Sequence, residues 1–245
     1  MDITINNLCK SYGSIAALKN CSIVVPSGSV FALIGPNGAG KTTLVKALLS
    51  LVKIDSGTIA LSGSVMSECE SLLREQISYL PEKYAFYPYY TVENILKLVG
   101  RVYVSSLRKR GGSELDTMVT KALERAQIVE LRARKVKTLS KGQLQRVGVA
   151  QLLMCDVSSP RLFILDEPFS GLDPIGIRDL KVLISELHQQ GHTIFINSHI
   201  LSEIEQIADE VAVLHHGEIL ALGKIKELVG NKNLEEFFYN KIKGA

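Results

Sequence analysis

One octapeptide constrains this chain more than any other stretch: GPNGAGKT, Gly35 to Thr42, which follows the apolar run SVFALIG and opens onto TTLVKALLSLV. The spacing Gly-x-x-x-x-Gly-Lys-Thr in that setting requires strand, loop and helix in succession. Glycines let successive backbone N–H groups converge on phosphate oxygens, and the helix N-terminus adds a favourable dipole. Gly35, Pro36, Asn37, Gly38, Ala39, Gly40, Lys41, Thr42 and Thr43 are therefore the expected phosphate cradle. Lys41 reaches the terminal phosphates and the Thr42 hydroxyl is a magnesium ligand. Leu44, Leu48 and Leu51 fall on one face of the helix that follows.

A second site element comes from RLFILDEP, where four apolar residues place Asp166 and Glu167 at the carboxyl end of a buried strand. Open α/β sheets bind ligands at that edge. Alone, an Asp-Glu pair there is an ordinary solvated strand end; beside a phosphate loop it becomes a metal and water site. Asp166 is expected to hold magnesium through its water shell, and Glu167 to polarise a water attacking the terminal phosphate.

The rest of the chain supports an α/β fold. Ile3 and Ile5, then Cys21, Ile23 and Val25, alternate with polar residues at the period of half-buried, antiparallel strands. GTIALSG and QISYL read as further strands, and from about Val92 to Asp156 the periodicity is helical. RLFIL, Leu180 to Leu187, HTIFIN, EVAVLHH and EILALG then alternate strand and helix, which implies a parallel sheet with helices on its faces. NLEEFFYNKIKGA reads as a short terminal helix. With 28 basic and 25 acidic residues the net charge of +3 gives no strong field for nucleic acid. Cys9, Cys21, Cys69 and Cys155 form no CxxC pair, so a zinc site or disulfide framework is not expected. The start MDITINNL has no secretory pattern and no 18 uncharged apolar residues run together, so neither secretion nor membrane spanning is expected.

The run TLSKGQLQRVGVAQ, Thr138 to Gln151, joins a turn-like LSKGQ to an amphipathic helix. On its own, Ser140 is a sufficient N-cap. With the phosphate loop and the Asp166-Glu167 pair, however, the chain resembles the nucleotide-binding subunit of ATP-binding cassette (ABC) transporters. LSKGQ answers to that family's signature LSGGQ, and Gln145, Arg146, Val147, Val149 and Ala150 continue the pattern. The likeness runs from Tyr12 to His199 in the family's order. It implies a P-loop ABC-ATPase fold with a RecA-like parallel-sheet core, an N-terminal antiparallel β subdomain and an inserted helical subdomain at about 83–156. One ATPase domain would span 1–230, with a short helix or tail at 231–245.

The resemblance further implies that Ser140, Lys141, Gly142 and Gln143 act in trans on ATP held by a second subunit. Tyr12 would stack on adenine, although a lone strand tyrosine is more often a packing residue. Asp173 in SGLDP would sit in the loop crossing the dimer interface, although a turn before proline also explains it. His199 would sense the terminal phosphate, so Lys41, Glu167 and His199 carry hydrolysis. His188, His192, His215 and His216 have no such placement and read as surface residues. Two positions depart from the family pattern. Glu82 stands where a Gln is common, and its carboxylate is a further magnesium ligand that adds negative charge near the phosphates. Lys141 replaces the signature's middle glycine, its cation facing either a partner's phosphates or solvent.

KYAFYPYY concentrates five of the fifteen Tyr and Phe residues at Tyr84, Phe86, Tyr87, Tyr89 and Tyr90. A small core under the helical lobe and an exposed groove for a partner helix explain it equally; the resemblance places a membrane partner's coupling helix there. The basic patches at Arg108 to Arg110 and Arg132 to Lys137 read as solvated faces, with proximity to anionic lipid the second reading. The implied activity is ATP hydrolysis, with ATP and Mg2+ bound between two such subunits, a homodimer or heterodimer, on the inner face of the cell membrane. A separate membrane permease would carry the substrate, and LPE, NSHILSE and LEEFF resemble small exporters. The alternative is a soluble cassette ATPase acting on nucleic acid or ribosomes. No long heptad run separates phosphate loop and signature, and one cassette is present, so no nucleic acid is expected. A P-loop kinase has no use for LSKGQ or His199.

Overall fold

The computed structural model describes residues 1–66, 76–103, 112–155 and 159–244. Cys69, the patch at 108–110 and the Asp156 boundary lie outside the described residues. The N-terminal alternation forms β1 (Ile3–Tyr12) and β2 (Ile15–Val25), and β3 (Val30–Ile34) is the apolar strand before the phosphate loop. The loop opens α1 (Lys41–Leu48), followed by β4 (Ser56–Leu61), β5 (Ser64–Val65) and β6 (Ile77–Leu80). The helical stretch comprises α2 (Val92–Tyr103), α3 (Gly112–Arg125) and α4 (Lys141–Leu152). After it come β7 (Leu162–Asp166), α5 (Pro174–Gln189), β8 (Thr193–Asn197), α6 (Leu201–Ile207), β9 (Glu210–His215) and β10 (Glu218–Lys224). The described chain closes with α7 (Ile225–Val229) and α8 (Leu234–Lys243).

Two sheets result. One is antiparallel in the order β2-β1-β4-β5; the other runs β10-β9-β3-β8-β7-β6. In the second sheet β9, β3, β8, β7 and β6 are parallel, as the strand and helix alternation implies, and β10 lies antiparallel on the edge. The reason is local. His216 and Gly217 take positive φ of 46° and 82°, the mark of a tight two-residue hairpin turn that sends the chain straight back.

Period-two alternation builds a core on each face of the parallel sheet. Phe31 and Leu33 of β3 join Ile3, Ile5, Cys21, Leu44 and Leu48 on one side, where Phe31 stacks on Phe195 at 5.6 Å. Val30, Ala32 and Ile34 point the other way, among residues of α2 to α5. Leu51 departs from its expected face: α1 ends at Leu48, Ser50 turns with φ 52°, and Leu51 stands exposed.

In the helical lobe, Val92, Leu96, Leu115, Val119, Leu123, Val147 and Ala150 form a common core. Tyr84 and Phe86 stack on each other at 5.1 Å and pack against this core, whereas Tyr87, Tyr89 and Tyr90 remain exposed. KYAFYPYY thus divides, two rings inward and three outward. Gly148 accounts for the inward pair. A Cβ on it would lie 2.2 Å from the Tyr84 ring, so only glycine lets the ring cross α4. The patch from Arg132 to Lys137 is a solvated face, with Arg134, Lys135 and Lys137 exposed, and several of its cations also find partners on it. Arg132 donates to Glu93 at 2.9 Å and Thr120 at 3.0 Å, Arg134 donates to the Thr138 carbonyl at 2.9 Å, and Lys137 lies 4.6 Å over the Tyr89 ring.

Candidate nucleotide site

Parallel strands bring their carboxyl ends to one edge of the sheet, and there the phosphate loop, the residues after β7 and those after β8 meet. They border an open cleft of about 630 Å³ lined by Asn37 to Thr43, Glu82, Glu167 and Asn197, with Ser14 to Ala17 at another wall. Gly40 makes the loop possible. Its φ is 112°, and a Cβ there would lie 2.4 Å from the Ala17 carbonyl oxygen. The following residue, Lys41, is buried and donates from Nζ to the Gly35 carbonyl at 2.7 Å and the Pro36 carbonyl at 3.2 Å. Burial lowers its pKa, while the nearby carboxylates of Glu167, Asp166 and Glu82 push it back up.

Asp166 ends β7, and Asn197 ends β8 directly opposite it in register. The Asn197 amide donates to Asp166 Oδ1 at 2.5 Å, and the Tyr79 hydroxyl from β6 donates to Oδ2 at a looser 3.4 Å. Burial raises the Asp166 pKa, and Glu167 and Glu82 raise it further; the Asn197 and Tyr79 hydrogen bonds act in the opposite direction. Burial and the Asp166 charge likewise raise the pKa of Tyr79. Glu167 adopts a left-handed φ of 49°, uncommon for a side chain with a Cβ. Its carboxylate Oε2 meets His199 Nδ1 at 2.7 Å and accepts from the His199 N–H at 3.3 Å. Left-handed backbone at such a residue persists only where surrounding contacts enforce it; here the Glu167 N–H also donates to the Asn197 carbonyl at 2.8 Å.

A cation suits this edge. The carboxylates of Glu167, Asp166 and Glu82 lie within electrostatic reach of Lys41, and burial together with repulsion from Glu167 and Glu82 holds the Asp166 pKa up, so added positive charge is favourable there. Thr42, Asp166 and Glu82 present hard oxygens, the donor type that a hard cation takes. Among the described residues no group of three or more His, Cys, Asp or Glu side chains converges into an all-protein cage. Such hard oxygens suit magnesium, which takes one or two carboxylates and completes its shell with water and phosphate oxygens.

The signature residues lie outside the cleft lining. Ser140 and Gln143 form a capping box at the start of α4: Ser140 Oγ accepts from the Gln143 N–H at 3.3 Å, and the Gln143 side chain accepts from the Ser140 N–H at 3.0 Å. Gly142 has an open face, since a Cβ on it would meet only the Gly171 carbonyl oxygen at 4.0 Å. Lys141 lays its stem over Gly171, the Cε 2.6 Å from where a Cβ of that glycine would stand, and the residue stays exposed to solvent, one of its two expected directions. Asp173 caps α5 by accepting from the Gly176 N–H at 2.7 Å, which realises the turn reading. Gln145 joins the two regions: its amide donates to the Pro168 carbonyl, one residue past Glu167, at 2.7 Å.

Several placements were not foreseen. Tyr12 is 47% exposed beneath Lys10 Nζ at 5.2 Å and does not line the cleft, whereas Ile15, its partner across the β1–β2 turn, does. His216 lines the cleft through the hairpin turn. His192 is buried, edge-on to Phe163, and its Nδ1 accepts from the Arg161 N–H at 3.2 Å, so it is not a surface residue. Asn197 had a signal in the sequence: a polar side chain directly after the apolar run Ile194 to Ile196, two residues before His199.

Fold and cleft together define a P-loop nucleotide-binding protein. Residues 18–170 match the family model for the ABC transporter, and the chain belongs to that family. It is 38% identical over 240 residues to the lantibiotic transport ATP-binding protein SrtF of Streptococcus pyogenes, covering 98% of this chain and 97% of that protein. An uncharacterized ABC transporter ATP-binding protein of Synechocystis is 40% identical over 219 residues, 89% of this chain, and the chain spans only 59% of that relative's length. A solved ATP-binding subunit of an ABC transporter superposes with a TM-score of 0.86 at 28% identity, covering 99% of this chain and 100% of that one.

Proposed function

We propose that the chain binds and hydrolyses ATP as the nucleotide-binding subunit of an exporter, working as a head-to-tail pair, homodimer or heterodimer, around two ATP molecules. Residues 1–230 act as one ATPase domain with its helical lobe at about 83–156, and 231–245 as an appended helix. Backbone N–H groups of Gly35 to Thr43 hold the phosphates, and Lys41 exchanges its carbonyl partners for phosphate oxygens. Glu167 accepts a proton from the attacking water, held in aim by its bond to His199. Thr42, Asp166 and Glu82 are the chain's ligands for magnesium, which supplies charge neutralisation on the phosphates when bound. Tyr12, paired across the β1–β2 turn with Ile15 of the cleft wall, stacks on the adenine.

Ser140, Lys141, Gly142 and Gln143 close the pocket of the opposite subunit, with Asp173 in the loop between the two. The observation that carries this reading is the open face of Gly142 at the start of a capped helix, outside a cleft that already holds its own lysine and carboxylates. A separate permease carries the substrate, and the exposed Tyr87, Tyr89 and Tyr90 receive it; among the described residues no helix is long and apolar enough to cross a membrane. The subunit then sits on the cytoplasmic, inner face of the cell membrane. SrtF's assignment to lantibiotic transport makes a peptide antibiotic the first substrate class to test.

Light scattering on the Glu167→Gln variant with ATP and magnesium tests the pairing. A stable dimer that dissociates when ATP is withheld is expected, together with ATPase activity in the wild type. A monomer under all conditions would overturn the head-to-tail arrangement, and an inactive wild type, even with its permease, would overturn the enzymatic role.

A further inference from the structure

Building on the metal role proposed above for Asp166, we infer that Asn197 is the positioning residue that sets this carboxylate for magnesium, and that its own carbonyl oxygen receives a water of the metal–nucleotide complex. The strand β8 is apolar through Ile194, Phe195 and Ile196, yet ends in an amide only 1% exposed. An amide at that depth is retained only where its hydrogen bonds serve the structure or the site.

Asn197 reaches both carboxylate residues at once. Its Nδ2 donates to Asp166 Oδ1 at 2.5 Å, and its backbone carbonyl accepts from the Glu167 N–H at 2.8 Å. The side-chain bond fixes which oxygen of Asp166 is committed. Oδ2, held by Tyr79 at 3.4 Å, is the one free to exchange partners. An amide suits this position better than a carboxylate, because a further negative charge would add to the repulsion from Glu167 and Glu82 that already raises the Asp166 pKa.

The second half of the inference comes from Asn197 Oδ1. It is buried and has no hydrogen-bond donor among the described residues, although the residue lines the cleft beside Lys41, Thr42 and Glu167. A buried acceptor without a donor is costly in a polar site and points to a partner that arrives with the ligand. The donor required is an N–H or O–H, and the waters on hydrated magnesium supply O–H groups at this edge.

Asn197→Leu tests both halves, since it nearly preserves shape while removing donor and acceptor together. The readouts are binding of a fluorescent ATP analogue in EDTA and across a magnesium titration, the split between kcat and KM, and the melting temperature. We expect unchanged binding in EDTA, about a tenfold higher magnesium concentration for half-maximal binding and kcat lowered about 10- to 100-fold, the range for residues that orient a metal ligand. The KM for ATP at saturating magnesium stays near wild type. A magnesium titration that overlays the wild type, with unchanged kcat, overturns the inference. Should the leucine variant not fold, Asn197→Ser decides by the same titration and the same two outcomes. Asp166→Asn run alongside separates the failures: if it keeps the wild-type magnesium dependence, the metal role of Asp166 falls; if it loses that dependence and Asn197→Leu does not, only the role of Asn197 falls.

Discussion

The nucleotide cleft and the signature pentapeptide are both polar sites at the start of a helix, but they are finished to different degrees. Each functional group of the cleft is held by a neighbour in the same chain: Lys41 by loop carbonyls, Asp166 by Asn197 and Tyr79, Glu167 by His199. Ser140 and Gln143 are bonded only to each other, and Gly142 faces outward. The cleft carries tension, with three carboxylates and a buried lysine crowded at a sheet edge; the pentapeptide carries none. A site whose strain is internal is built to do chemistry, and one satisfied but open is built to be met by something else.

The largest expected effect tests that division. Lys41→Ala disables the cleft, and Gly142→Asp sets a carboxylate on the open face, where its Cβ meets nothing closer than 4.0 Å in its own chain. Each variant alone should lose ATPase activity by about 100-fold or more, the scale of removing a preorganised charge contact, while Gly142→Asp melts like the wild type. Mixing the two inactive chains should restore activity, because one pocket of the mixed dimer then joins an intact Lys41 to an intact Gly142. An inactive mixture in which mixed dimers are demonstrably formed would mean that cleft and pentapeptide serve each other within one chain.

Next in size is the joint between the regions. Tyr84, two residues beyond Glu82, lies across Gly148 in the signature helix. Gly148→Ala gains about 1 kcal/mol of helix propensity, yet forces a Cβ to within 2.2 Å of the ring position. Overpacking of about 1–3 kcal/mol should prevail, lowering the melting temperature by about 2–4 °C for each kcal/mol in a chain of this size. Tyr84→Leu in the same chain makes room and should recover most of the loss. If the double variant melts no higher than Gly148→Ala alone, the ring is not what excludes the methyl group.

How legible each region was in the sequence follows from the range of its interactions. The phosphate loop, β7 and the cap at Ser140 are local patterns, in which a strand period, a glycine spacing or a capping residue dictates the geometry of its own neighbours. The antiparallel edge strand β10, the burial of His192 and the bond from Asn197 to Asp166 depend on which strands become neighbours, and the register that pairs Asp166 with Asn197 appears in neither segment alone. KYAFYPYY was ambiguous for the same reason. Composition announces five rings, but only the glycine on a distant helix decides that Tyr84 turns inward. Arg132 looked like solvated charge because Glu93, its partner, lies 39 residues away.

The smallest effect has opposite signs in the two regions. In the lobe, the Arg132 guanidinium and the Lys97 ammonium beside Glu93 lower its pKa from 4.5 to about 2. The stability it contributes is present above pH 4.5 and is lost as the pH falls from there through about 2. Asp166 in the cleft has its pKa raised above 3.8 by burial. It favours the folded chain while protonated and withdraws that help as the pH rises through the raised value, so at neutral pH it is a cost to the ligand-free protein. Glu93→Gln should therefore destabilise at pH 7 by no more than about 1 kcal/mol, the range of an exposed ion pair, and flatten the acid side of the melting-temperature profile. Asp166→Asn should leave the acid side nearly unchanged and raise the ligand-free melting temperature at pH 7, while removing the stabilisation that ATP and magnesium confer on the wild type. Melting profiles from pH 2.5 to 8 for the three proteins decide it: if both variants shift the same way at pH 7, the cleft holds its carboxylate no more reluctantly than the lobe does.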